Sequence, residues 1–293
     1  MTPPSRSAGQ RVRDVRLRVL IDDEPGAPGL LVEHGFALWV ETELGRVLFD
    51  TGHTGAFVAN AQRLGVELTG ADVVVLSHGH YDHTGGLTQL LDVLPQVRIV
   101  AHPSFDGAHR ARSTGEDRDV GVPPEARRAL QRACLERHAI PVEVSPAVWT
   151  TGEIPRTTDE DVGGAFFSDE AGHVPDPLLD DQALIVRHRA GLVVILGCAH
   201  AGVVNTLRQV RQLFPLERVA GVVGGMHLRH ASPSRVEATL SELRAEQAAL
   251  IAPAHCTGQS AQAALVEAVG SRYRRLVVGS GLRLDDTGQW HSW

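Results

Sequence analysis

The chain has 293 residues, enough for a large buried core, and its 43% apolar and 22% charged residues are ordinary for a soluble globular protein. A formal net charge of −7 with no Lys/Arg run argues against nucleic acid as the main partner. No apolar stretch approaches the ~20 residues that span a bilayer, and residues 1–13 lack the apolar centre of a signal peptide. Cys134, Cys198 and Cys256 have no framework spacing and read as free thiols in a reducing cytoplasm.

Residues 1–10 contain Pro, Ser and Gly and are expected to be disordered. A β-hairpin is predicted from Ala37-Leu38-Trp39-Val40 and Gly45-Arg46-Val47-Leu48-Phe49, then a helix over 57–64 and a strand at Val73-Val74-Val75-Leu76. A short strand ends at Ala101-His102. The stretch 110–181 reads as an insert with a helix over 123–138. Its Gly/Asp/Pro-rich part, 156–177, is either disordered or an active-site lid. A second hairpin then follows at 183–186 and 191–195, with a helix carrying Val203, Leu207, Val210 and Phe214. The strand 219–222, a helix opening at Ser232-Pro233 and a strand ending at Ala254-His255 complete the order.

The hairpins and the strands after them match at a constant offset of 146 residues, which suggests a duplicated half. The repeat places Asp50, the 78–83 loop and His102 at strand ends of one sheet. It places Cys198, His200, His227 and His255 at equivalent ends of the other. All should converge on one edge. Of the 15 histidines, His109, His138, His173, His188 and His291 lie in polar or helical contexts and are expected at the surface.

His78-Gly79-His80-Tyr81-Asp82-His83 follows an apolar strand and precedes Thr84-Gly85-Gly86. Three imidazoles and a carboxylate have little use in a core, where each needs a buried partner. They suit a divalent cation such as zinc, iron or nickel. An extended loop would send 78, 80 and 82 one way and 83 the other, so two cations can be served.

These residues form the HxHxDH signature of the metallo-β-lactamase superfamily, and Asp50-Thr51-Gly52 resembles its strand-end DTG. The chain is similar to the branch typified by 7,8-dihydropterin-6-methyl-4-(β-D-ribofuranosyl)aminobenzene-5′-phosphate synthase. The matching stretches are Glu33-His34-Gly35, 77–87, Gly152-Glu153-Ile154-Pro155-Arg156, Asp180-Asp181-Gln182-Ala183-Leu184, 197–202, 224–228 and His255-Cys256-Thr257-Gly258. The resemblance implies an α/β fold, an αββα sandwich of two similar halves, as a single domain over 11–293. It implies two divalent metal ions, zinc first, with iron or manganese as alternatives. His78 and His80 would hold one cation with a third histidine, chosen as His200. Asp82 and His83 would hold the other with a fourth, chosen as His255. The second-half bridging aspartate of the superfamily has no obvious match, and Cys198 or His227 stands where it should lie. Asp50 is expected to orient ligands rather than bind metal, and Cys256 to be packing.

Asp82 and His227 are the candidate catalytic residues, with Arg156 and Asp181 placed near the substrate. No Gly-x-Ser-x-Gly elbow, phosphate loop or Rossmann fingerprint occurs. The favoured expectation is a metal-dependent hydrolase, a metal-activated hydroxide attacking an ester, lactone or phosphoester of a small molecule. The alternative is a pterin-methyl transferase that forms a C–N bond with loss of diphosphate. Water exclusion and aromatic stacking would favour it, through Trp39, Phe105, Trp149, Phe166 or Phe167. A non-catalytic binding module or electron-transfer protein is disfavoured by the complete ligand set. The expected partner is a small-molecule substrate, with no nucleic acid and no membrane.

Overall fold

The computed structural model of the chain describes residues 9–113, 116–160 and 164–293. Most of the expected disordered N-terminus, 1–8, and residues 161–163 of the polar segment lie outside the described residues. The first half supplies β1 (Val15–Ile21), β2 (Ala37–Thr42), β3 (Gly45–Phe49), α1 (Ala56–Arg63), β4 (Val73–Val75), α2 (Tyr81–Thr84), α3 (Leu87–Val93) and β5 (Arg98–Ala101). The middle supplies β6 (Arg110–Ser113), β7 (Glu116–Asp119), α4 (Pro124–Leu130), β8 (Cys134–Arg137), β9 (Glu143–Ser145), β10 (Val148–Thr150) and β11 (Ala165–Phe167). The second half supplies β12 (Leu184–His188), β13 (Gly191–Leu196), α5 (Val203–Leu213), β14 (Val219–Gly225), α6 (Pro233–Glu246), β15 (Leu250–Ala254), α7 (Gln259–Val269), β16 (Gly281–Leu284) and β17 (Trp290–Ser292).

One sheet runs β17-β16-β1-β2-β3-β4-β5-β8 and a second runs β15-β14-β13-β12-β10-β9. The expected duplication is visible in the pairing. In each sheet an antiparallel hairpin, β2–β3 or β12–β13, leads into two parallel neighbours, β4–β5 or β14–β15. Alternation of side chains sorts the core into layers. Val73 and Val75 face Val193 and Ile195 between the sheets, whereas Val74 packs outward with Phe57, Leu87 and Leu90. Leu192, Val194 and Leu196 pack outward on Val203, Leu207, Leu243 and Leu265 of the second-half helices. Each fully buried Val, Leu, Ile or Phe contributes roughly 1.5–3 kcal/mol. Strands apolar on both faces therefore bury best between another sheet and a helical layer, which is the αββα sandwich.

Three expectations about local structure are corrected. The helix expected over 123–138 ends at Leu130, and Cys134–Arg137 instead pairs in parallel with β5. The open edge of β5 supplies backbone partners that outweigh helix propensity there. The 78–83 loop is extended only to His80; His80 then caps α2, so Asp82 and His83 lie on a helical turn. Strict alternation therefore fails at Asp82. The insert is largely structured: β8 extends one sheet, β9 and β10 the other, and β11-β6-β7 form a third. Among the described residues no helix is long and apolar enough to cross a membrane.

The loop that carries the histidines runs close against the chain at Phe105. A Cβ on Gly79 would come within 1.6 Å of the Phe105 carbonyl oxygen. Gly79→Ala is expected to destabilise the fold by about 1–3 kcal/mol through overpacking. Urea denaturation reads this directly, and an unchanged midpoint would contradict the close approach.

Candidate metal centre

Four turns at this edge carry non-glycine residues in the left-handed region: Asp50 (φ 62), Ala199 (φ 57), His227 (φ 48) and His255 (φ 48). Each costs about 1–2 kcal/mol and persists only where its surroundings fix it. Asp50 follows β3 and His255 follows β15, while Ala199 and His227 lie just past β13 and β14. These turns carry or adjoin most of the chemistry-bearing side chains of the edge.

Three rings are held from behind through Nδ1. Asp50, wholly buried, accepts from Ser77 N–H at 2.7 Å, from Ser77 Oγ at 2.7 Å and from His83 Nδ1 at 2.7 Å. Because Ser77 Oγ donates to Asp50, His78 Nδ1 is the donor in its 2.9 Å contact with Ser77 Oγ. His255 Nδ1 lies 2.6 Å from Asp23 Oδ1. The Nε2 atoms of His78, His83 and His255 are thereby turned inward. His83 Nε2 lies 3.2 Å from Cys198 Sγ. Asp82 Oδ2 lies 3.7 Å from His83 Nε2 and 3.3 Å from His255 Nε2.

The rings of His78, His80 and His200 stand 4.6–4.9 Å apart, centroid to centroid. Burial holds His80 neutral, its pKa pushed down to about 3, and drives His78 the same way. Neutral imidazole is the ligating form. His78, Cys198 and His200 place one donor atom each within 4.8 Å of one another, and so do His83, Cys198 and His255. Cys198 thus belongs to both groups. His227 is also at this edge, 4.2 Å from the His200 ring, and groups with Cys198 and Cys256. Its backbone N–H donates to Cys256 Sγ at 3.2 Å, which gives Cys256 a structural role. Burial raises the Cys198 thiol pKa in the metal-free chain; a coordinated cation would reverse this, since a coordinating thiol loses its proton.

The residues fit divalent cations on a direct criterion. Nε2 of His78, His80 and His255 is buried without a hydrogen bond, and a buried polar atom left so costs about 1–3 kcal/mol. A cation removes that cost. Imidazole, carboxylate and thiolate suit zinc or iron.

Several residues differ from expectation. His109 is buried rather than superficial: Nδ1 lies 2.6 Å from Asp176 Oδ2, and its ring is 5.6 Å from that of His80. His188 is buried too, its Nε2 donating to Arg13 O at 2.8 Å while Nδ1 accepts from Ala190 N–H. His138 is partly exposed and His173 and His291 are exposed, as expected. His102 ends its strand, but its Nδ1 accepts from the Ser104 N–H, and it joins no metal-competent group among the described residues. Arg156 and Asp181 act on backbone: Arg156 donates to the carbonyls of His200 and Leu178, and Asp181 Oδ2 accepts from Ala201 N–H at 2.8 Å. Asp180 accepts from Gly79 N–H at 2.7 Å, and burial raises its pKa to about 6. This acidic pair holds both histidine loops in place. Of the aromatic candidates, Phe166 on β11 lies over the site, stacked 5.2 Å from His80 and edge-on to His200 at 5.3 Å. Trp149 instead packs on Phe214, with ring centroids 6.0 Å apart.

Sequence reasoning missed His34. Its Nδ1 lies 3.0 Å from Asp23 Oδ2 and its Nε2 3.3 Å from Asp82 Oδ2. The available signals were the Glu33-His34-Gly35 match and the position of Asp22-Asp23 just past β1.

The sequence profile of the metallo-beta-lactamase superfamily matches residues 31–255. The 7,8-dihydropterin-6-methyl-4-(beta-D-ribofuranosyl)-aminobenzene-5'-phosphate synthase of Methanocaldococcus jannaschii is 25% identical over 287 residues, spanning 92% of this chain and 96% of that protein. An uncharacterised protein of the same organism is 29% identical over 244 residues, 83% of this chain and 90% of its own. A crystal structure described as a metal-dependent hydrolase of the beta-lactamase superfamily superposes with a TM-score of 0.79 at 29% identity, covering 92% of this chain and 98% of that one. With the fold, the strand-end histidines and a profile match over most of its length, the chain belongs to the metallo-beta-lactamase superfamily.

Proposed function

We propose that the chain is a metal-dependent hydrolase with a binuclear centre, acting on an ester, lactone or phosphoester of a small molecule. His78, His80 and His200 would hold one cation, Asp82, His83 and His255 the other, and Cys198 would be shared. The observation that carries this reading is the membership of Cys198 in both donor groups. It favours Cys198 over His227 for the place of the missing bridging aspartate. Two cations there would bring the pKa of a bound water toward ~7 and polarise the substrate oxygen.

The chain's own residues divide the remaining work. Asp50 and Asp23 fix ring orientation, as partners behind metal-binding histidines do. The Asp180–Gln182 run ties Gly79, Ser77 and Ala201 to one another through backbone hydrogen bonds. His227, beside His200, would give a proton to the leaving group. The His34 side chain, 3.3 Å from Asp82, is 42% exposed, so solvent reaches the rim of the site on that side. That openness favours hydrolysis.

One observation favours a second reading. Phe166 covers the His80–His200 side with a flat aromatic face, suited to stacking a pterin ring. The similarity to a dihydropterin synthase supports a C–N bond-forming transfer with loss of diphosphate.

Elemental analysis of the purified protein is expected to give two divalent cations per chain; one, or none after reconstitution, would overturn the binuclear reading. His200→Ala and His255→Ala should each lose metal and activity, while His138→Ala and His173→Ala retain both. Asp50→Asn should weaken metal binding about 10–100-fold without removing a ligand. Phosphodiesters, lactones and activated esters should be assayed beside a pterin-methyl diphosphate with an arylamine. Metal-dependent hydrolysis abolished by His83→Ala supports the first reading; turnover of the pterin pair alone establishes the second.

A further inference from the structure

Asp23, His34 and His255 form a further metal-competent group, outside the ligand sets assigned above except for His255. Asp23 uses its two carboxylate oxygens on two imidazoles: Oδ1 lies 2.6 Å from His255 Nδ1 and Oδ2 lies 3.0 Å from His34 Nδ1. Each ring is thereby set with Nδ1 toward Asp23 and Nε2 directed forward. Both Nε2 atoms lie 3.3 Å from the same oxygen, Asp82 Oδ2. Their rings are 5.1 Å apart and tilted by 37°. Donor atoms bound to one zinc at about 2.0–2.1 Å lie roughly 3–3.4 Å apart. Asp82 Oδ2 stands at about that spacing from both Nε2 atoms, and with His83 and the shared Cys198 the cation would have five protein donors, the expanded coordination number open to zinc.

We propose that His34 is a further protein ligand of the second cation, held by Asp23 as His255 is and occupying the solvent-facing position. This inference rests on the binuclear reading above. The backbone prepares His34 for the role. Phe36 N–H donates to Asp82 O at 3.2 Å, and a Cβ on Gly35 (φ +151) would meet that same carbonyl at 2.5 Å. On the other side Glu33 accepts from the backbone of His53 and Thr54 and from Thr54 Oγ1 at 2.6 Å. The loop is therefore pinned on both sides of His34. Arg229 Nη2, 2.6 Å from Asp23 Oδ2, supplies the countercharge to the shared carboxylate.

The competing account is that His34 merely hydrogen-bonds Asp82, and metal titration separates the two. Metal-free wild-type, His34→Ala, Asp23→Asn and His138→Ala proteins are titrated with Co(II) against a competing chromophoric chelator, and the Co(II) absorption bands are recorded. Wild type and His138→Ala should take two equivalents. In His34→Ala the second equivalent should bind about 10–100-fold more weakly, with an altered band and the first equivalent unchanged. Asp23→Asn should weaken the same equivalent. Matching thermal melts of the metal-free proteins exclude misfolding as the cause. Two equivalents of wild-type affinity and spectrum in His34→Ala, or equal weakening of both, would overturn the assignment alone. Fewer than two equivalents in wild type would overturn the binuclear reading and the assignment with it.

Discussion

A neutral imidazole carries one N–H and one lone pair, so fixing the N–H decides where the lone pair points. Two carboxylates exert this control here. Asp50 grips His83 directly and His78 through Ser77, and Asp23 grips His255 and His34. Without them the rings would be free to rotate or to take the other tautomer, and the site would lose its inward donors. The two sheets matter because each carries a gripping carboxylate or gripped ring at its edge, and their packing brings both edges together. Asp50 and Asp23 stand at the ends of strands in one sheet, whereas His255 ends a strand of the other.

Such an edge works against stability. It collects left-handed turns, buried unpartnered ring nitrogens and several buried carboxylates, each of which costs free energy. What offsets these costs is the layered core, in which central strands such as β13 and β14 are buried along their whole length. The tethers between loops are local and polar. Asp180 accepts from the Gly79 N–H, and Asp181 is hydrogen-bonded by the backbone of Ala201 and of His200. Burial raises the pKa of both carboxyls. The centre is therefore the edge of a packed scaffold rather than a set of untethered loops.

The parts legible in sequence were those whose signal is local. The 78–83 motif follows an apolar strand, and the hairpins recur at a fixed offset, so the strand ends could be aligned without coordinates. What escaped depends on distant chain segments. His109 looked superficial because its partner, Asp176, lies 67 residues away. His34 gains its geometry from Asp23, whose other imidazole partner is 232 residues distant. Cys134-Leu135-Glu136-Arg137 continues a helical-looking stretch and becomes a strand only because β5 leaves an edge to pair with. Choosing between Cys198 and His227 likewise depends on the relative placement of β13, the 78–83 loop and β15, which no local pattern encodes.

In the proposed centre one thiolate, from Cys198, is shared between two cations. X-ray absorption at the zinc edge of the reconstituted protein tests it most directly. The account predicts a sulfur neighbour at about 2.3 Å together with nitrogen and oxygen neighbours at about 2.0–2.2 Å, and a metal–metal vector of about 3.5–4 Å. The sulfur component should vanish in Cys198→Ser and persist in Cys256→Ser. A first shell of nitrogen and oxygen alone in the wild-type protein would contradict it.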